Sequence, residues 1–107
     1  MNVDNAKSQM RKGMLEYCIM LLLRDEPCYS SDIINRLKDA NLLVVEGTLY
    51  PLLTRLRKDG VLSYEWQEST QGPPRKYYVL TEEGKESLAQ LEEAWQALED
   101  TVHRLKQ

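Results

Sequence analysis

Thr48, Tyr50, Thr54, Arg55, Arg57 and Lys58 crowd into one short stretch, interleaved with Leu49, Leu52, Leu53 and Leu56. At 3.6 residues per turn the leucines take one side of a helix and the six donor-bearing side chains take the broader opposite side. Hydroxyls, a phenol, guanidinium groups and an ammonium are the donors with which a helix in the DNA major groove reads base edges and grips phosphates. A second cationic pair, Arg75-Lys76, follows a Gly-Pro-Pro turn, where a hairpin loop reaches the neighbouring phosphate backbone. A basic helix alone is equally an ordinary solvated face. The helix together with the hairpin, in this order, favours DNA.

Other chemistries find no residues to carry them. Cys18 and Cys28 do not form a C-x-x-C pair, and with the single His103 they supply too few ligands for zinc. Both cysteines read as reduced thiols of a cytoplasmic protein, small core residues rather than redox sensors. His103 stands alone on the polar side of the last helix. Glu65, Glu68, Glu82 and Glu83 have neither a nucleophile nor a metal-ligand set beside them, and Gly60, Gly72 and Gly84 are turn or helix-end glycines rather than a phosphate loop. The expectation is a protein that is not an enzyme and holds no cofactor and no metal.

The elements that must position these groups fit one domain. The 107 residues suffice for one modest core. The longest apolar run, Tyr17 to Leu23, is far short of the ~20 residues of a membrane span. The N-terminus lacks the apolar stretch of a secretory signal. The net charge of −3 speaks against nucleic acid until its distribution is considered: residues 1–60 carry +1, residues 61–80 are neutral, and residues 81–107 carry −4. A DNA-facing surface in the first eighty residues is compatible with that balance.

The spacing predicts a first helix over Ser8–Arg24, with Met14, Tyr17, Cys18, Leu21 and Leu22 as its periodic face. Ile19, Met20 and Leu23 lie on other sides, and a helix apolar nearly all round is covered on more than one side, here by a second chain. A second helix follows over Asp32–Ala40, capped by Ser30 or Ser31, with Asn41 as its stop. The third runs over Glu46–Asp59, Pro51 near its start and Gly60 at its end. Residues 61–66 and 75–80 read as the strands of a hairpin around a turn at 68–74. Thr81 caps the last helix, in which Leu88, Leu91, Trp95, Leu98, Val102 and Leu105 are spaced 3, 4, 3, 4, 3. These six form the expected dimerisation seam. Its flanking positions do not pair acid with base as a parallel zipper requires, so the expected mate is the partner's first helix. The fold class is α+β, mainly α: a winged helix-turn-helix domain over 1–80 and a dimerisation helix over 81–107.

The runs Arg11-Lys12-Gly13-Met14-Leu15-Glu16, Val45-Glu46-Gly47-Thr48-Leu49-Tyr50-Pro51-Leu52-Leu53-Thr54-Arg55-Leu56 and Gly72-Pro73-Pro74-Arg75-Lys76-Tyr77-Tyr78-Val79-Leu80-Thr81-Glu82-Glu83-Gly84 closely resemble the PadR family of bacterial transcriptional regulators. The resemblance covers nearly the whole chain and implies a homodimeric winged helix-turn-helix protein that binds double-stranded DNA, usually as a repressor. The single terminal helix implies the short-tailed subgroup. The family's DNA-facing positions fall on Thr48, Tyr50, Thr54 and Arg55, with Lys7, Arg11 and Lys12 as weaker backbone candidates. Tyr50 has an alternative, a ring partly buried beside the leucines with only its hydroxyl reaching a phosphate. Many members have Gly-Tyr where this chain has Ser30-Ser31.

Trp95 sits mid-seam, and across a two-fold axis two indoles can leave a slot for a small planar aromatic effector. Some short-tailed members use a tryptophan in this way. Trp95, Met14 and Cys18 would then line the effector site; the alternative is that Trp95 only fills the interface against the partner's first helix, near Met14, Cys18 or Met20. The rival to the regulator as a whole is a winged-helix protein-interaction module without DNA binding, which has no need of cations on both elements that would touch DNA.

Overall fold

In the computed structural model, which describes residues Met1–Gln107, the chain runs α1 (Val3–Leu23), β1 (Cys28–Tyr29), α2 (Ser30–Asp39), α3 (Glu46–Lys58), β2 (Leu62–Ser69), β3 (Gly72–Leu80) and α4 (Glu82–Leu105). Four helices and a small antiparallel sheet make a winged helix-turn-helix.

Helix α1 begins ahead of the expected Ser8 because Asn2 caps it. The Asn2 side chain accepts a hydrogen bond from the Asn5 N–H at 3.1 Å, and Asp4 lies in the first turn. Its buried face is Leu15, Ile19, Met20 and Leu23, not the expected stripe. Met14, Tyr17, Cys18, Leu21 and Leu22 stay half-exposed. The two sets interleave at helical spacing, so periodicity alone does not say which one the sheet and α3 cover.

Helix α2 starts at Ser30, with Tyr29 in the cap position, so neither serine caps it. Asp32 reaches back instead and accepts from the Tyr29 N–H at 3.1 Å. Asn41 ends the helix as expected, in the left-handed region at φ 66°. Helix α3 matches its expected bounds closely. Pro51 lies deeper than expected, in its second turn, so the Gly47 carbonyl has no N–H to receive from the following turn. Gly60, at φ 82°, reverses the chain after α3.

The wing is longer than expected. Strands β2 and β3 run out to Ser69 and Gly72, leaving only Thr70 and Gln71 as the turn. Pro73 and Pro74 belong to β3 and lie where the register slips between Gln67 and Ser69. Proline lacks the ladder N–H, and an irregular, outlying stretch tolerates that loss. Strand β1, unforeseen because two residues carry no alternation, pairs Cys28 with Tyr78 and Tyr29 with Tyr77, giving the sheet order β1-β3-β2.

Ile19, Ile33, Leu49, Leu53 and Leu62 are sealed at the centre of the core, which joins α1, α2, α3 and the base of the sheet. Helix α4 is anchored at its beginning. Thr81 Oγ1 accepts from the Gly84 N–H at 2.9 Å and donates to the Gly60 carbonyl at 2.8 Å. A β-carbon at Gly84 would lie 2.1 Å from the Val61 carbonyl oxygen, so only glycine lets α4 start this close to the end of α3. Further on, α4 lies beside α1 of its own chain, with Arg24 paired to Glu92 at 3.2 Å.

Candidate DNA interface

Helix α3 buries Leu49, Leu53 and Leu56 and leaves Thr48, Tyr50, Thr54, Arg55, Arg57 and Lys58 exposed. Tyr50 is 44% exposed, and its hydroxyl lies 2.9 Å from the hydroxyl of Ser30 at the start of α2. Arg55 is not free, because its guanidinium pairs with the Glu16 carboxylate of α1.

A groove of about 350 Å³ separates α3 from the wing and is lined by Tyr29, Ser30, Tyr50, Thr54, Trp66, Pro74, Arg75, Lys76 and Tyr78. It brings Tyr50 and Thr54 of the helix together with Arg75 and Lys76 of the hairpin. On the other flank of α3, Lys12 shares one depression with Thr48 and Arg55, and Arg11 shares a second with Thr48. Lys7 is exposed on α1 and borders neither depression.

The wing cations are supported by aromatic rings, which the sequence reading did not anticipate. The Lys76 ammonium is 4.1 Å from the centroid of Tyr64 and 5.7 Å from that of Trp66. The ladder register explains this. Tyr64 stands opposite Tyr78 and Trp66 opposite Lys76, which puts all four side chains on one face of the hairpin. Arg57 of α3 approaches the same Tyr64 ring at 5.4 Å, and Arg75 lies over Tyr29 at 5.0 Å. Ring faces attract cations without neutralising them, so the helix and the wing share an ordered positive surface. Trp66, 63% exposed, belongs to this surface. The alternation of residues 64, 66, 76 and 78 is the signal by which it could have been found.

Neither thiol lines the groove between α3 and the wing. Cys28 is buried, and burial pushes its thiol above the ordinary value although Arg36 Nη1 lies 3.4 Å from the sulphur. Burial likewise raises the half-buried Cys18 thiol. Burial pushes the Tyr78 hydroxyl up as well.

The expected seam on α4 divides in two. Leu88 is 3% exposed, inside the chain's own core. Leu91, Trp95, Leu98, Val102 and Leu105 form an open row, from 39% exposed at Leu91 to 80% at Leu105. A groove of about 380 Å³ runs along this row and is lined by Met10, Trp95, Leu98, Glu99, Val102, His103 and Lys106. Met10 of the chain's own α1 lines this groove together with Trp95.

The sequence profile of the transcriptional regulator PadR-like family matches residues 19–90. The fold is similar to that of a PadR-like transcription factor from Bacteroides fragilis, at 68% identity and TM-score 0.80 over 94% of this chain and 98% of the other. It is also similar to a PadR family transcriptional regulator from Eggerthella lenta, at 35% identity and TM-score 0.86 over 96% and 90% of the two chains. A PadR-like regulator from Bacillus cereus aligns at 36% identity and TM-score 0.83 over 92% and 97%. With its helix-turn-helix, its wing and this match across most of its length, the chain belongs to the PadR-like family of transcriptional regulators.

Proposed function

We propose that the protein is a homodimeric repressor that acts on cytoplasmic DNA and occludes a promoter by placing two copies of α3 in successive major grooves. The observation that carries this is the groove joining α3 to the wing, which Tyr50 and Thr54 of the helix line together with Arg75 and Lys76 of the hairpin. In this reading Thr48, Thr54 and Arg55 meet base edges, and Arg75, Lys76 and Tyr50 meet phosphates. Arg11 and Lys12 extend the backbone contact along α1, and Lys7 lies at its margin. Two protomers then favour a pseudo-palindrome with half-site centres ~10 bp apart or a multiple of that. The row from Leu91 to Leu105 supplies the dimer contact, and Leu88 anchors it from within.

The test is binding to a duplex taken from upstream of the protein's own gene, across a range of salt. Arg75→Ala with Lys76→Ala weakens binding to every sequence and flattens the dependence of log K on log salt by roughly one to two units. Thr54→Ala or Arg55→Ala changes which sequence is preferred. An unchanged salt slope in the wing variant removes the phosphate role. Binding by neither the native protein nor its variants leaves the protein-interaction module as the better reading.

A second reading, a small planar aromatic effector at Trp95, is favoured by the groove between Met10 and the open row of α4. Titration with planar dyes, comparing Trp95→Phe with Trp66→Phe, separates the two emitters. Quenching confined to Trp95 and accompanied by weaker DNA binding supports it. No quenching across the panel leaves Trp95 as packing.

A further inference from the structure

Ser30, the first residue of α2, is buried, with 6% of the residue exposed. Its hydrogen-bond partner is the Tyr50 hydroxyl at 2.9 Å. Geometry alone leaves the donor open, but the surroundings decide it. A buried hydroxyl must place its proton, and around Ser30 the acceptor within reach is the Tyr50 oxygen. Ser30 therefore donates and Tyr50 accepts. The Tyr50 proton is left over, and the Tyr50 side chain borders the groove that Arg75 and Lys76 also line. A phosphodiester oxygen only accepts hydrogen bonds, so a phosphate drawn in by those cations needs a donor with a free proton.

We propose that Ser30 is a positioning residue for DNA binding: by donating to the Tyr50 hydroxyl it aims the Tyr50 proton at a backbone phosphate. The proposal rests on the reading of Tyr50 as a phosphate contact. The relay is short and already formed, so the phenol enters the complex with its oxygen held and its proton direction set. Two hydroxyls in series also polarise one another, which strengthens the outer bond. Ser30 is nearly buried in the wall of the groove, and its contribution runs through Tyr50.

The experiment measures binding of the full chain to two duplexes of equal length, one from upstream of its own gene and one of random sequence. The variants are Ser30→Ala, Ser30→Cys, Tyr50→Phe and Ser30→Ala/Tyr50→Phe, with melting followed for each. Ser30→Cys keeps the volume and weakens the donor, so a cavity is not the cause of its effect. Loss of one hydrogen bond predicts that Ser30→Ala and Ser30→Cys weaken binding to both duplexes about two- to tenfold. Neutral donors release no counterions, so the salt slope stays as in the native protein. Tyr50→Phe weakens binding at least as much, and adding Ser30→Ala to it costs nothing further. The proposal is overturned if the Ser30→Ala loss persists in the Tyr50→Phe background, or if Tyr50→Phe weakens binding while both Ser30 variants bind normally. If Tyr50→Phe binds both duplexes like the native protein, the phosphate role of Tyr50 fails, and the relay with it.

Discussion

Replacing Glu16 with glutamine should strengthen DNA binding, although Glu16 lies on α1. Its carboxylate holds the Arg55 guanidinium, with the two side chains 33% and 59% exposed. To reach DNA, Arg55 exchanges this carboxylate for a phosphate or a base edge, and Glu16 is left to take up a cation. Ion pairs this open are worth about 0.2–1 kcal/mol. Removing the competitor should therefore raise affinity about 1.4- to 5-fold, at 1.4 kcal/mol per factor of ten. The salt dependence is the sharper signature. Even at a base edge, the Arg55 guanidinium lies among the groove's phosphates and displaces one of their condensed counterions, and in the native protein a cation taken up by Glu16 cancels that release. In Glu16→Gln the cancellation is gone, and the slope of log K against log salt steepens by up to ~0.9. Fluorescence anisotropy of a labelled duplex between 50 and 200 mM salt resolves both effects, since a handful of phosphate contacts already moves affinity by orders of magnitude over about that range. The background that decides is Arg55→Ala, in which Glu16→Gln should gain little. An unchanged slope in Glu16→Gln, or a full gain retained without Arg55, would refute the competition between carboxylate and DNA.

Leu91→Asp with Leu98→Asp should yield monomers or insoluble protein by light scattering; a folded dimer would place the subunit contact elsewhere. Gly84→Ala should destabilise the fold by about 3 kcal/mol, the upper end for an overpacked site, because the obstacle is the Val61 backbone rather than a movable side chain. Urea unfolding measures this, and a loss under about 0.5 kcal/mol, the usual range of a neutral surface change, would mean that α4 can start elsewhere. The hydroxyls of Tyr17 and Tyr78 and the thiols of Cys18 and Cys28 are all raised in the folded chain, each first of all by burial. They bind protons more tightly folded than unfolded, so their contribution is complete below the ordinary thiol and phenol values of about 8.5 and 10 and is lost as pH climbs through the folded values. The urea midpoint should be level, as far as these groups are concerned, near neutral pH and fall in the alkaline range; a rise there would contradict the burial.

What the sequence revealed follows from the range of each signal. Helix α3 was legible almost to the residue, because Leu49, Leu53 and Leu56 repeat at one period and Gly60 closes the helix. The face of α1 was misjudged because two apolar sets share one helix, and only the tertiary neighbours choose between them. Strand β1 carries no pattern of its own and exists because β3 offers it an edge. The turn cluster of 68–74 concealed strand residues, since Pro73 and Pro74 usually mark a loop and here occupy an irregular part of a ladder. The candidates on α3 and Arg75 on the wing are exposed, and Lys76 is half-buried against its rings. The contacts that hold them did not show: the carboxylate on Arg55 comes from thirty-nine positions away, the hydroxyl under Tyr50 from twenty, and the rings under Lys76 from across the hairpin.

The Thr81 junction makes α4 a lever with its fulcrum at the end of α3. Thr81 grips Gly60 on one side and Gly84 on the other, and the glycine lets the two backbones touch. From Gly84 to Leu105 the arm is about 32 Å long at 1.5 Å per residue. A tilt of about 5° at the fulcrum moves the far end by about 3 Å over such an arm. Read in reverse, the gearing favours accuracy. Whatever grasps the far end to within about 1 Å fixes the angle at the junction to about 2° over that arm. In the dimer proposed above, the angle at which α3 is offered to DNA would thus be set at the far end of α4.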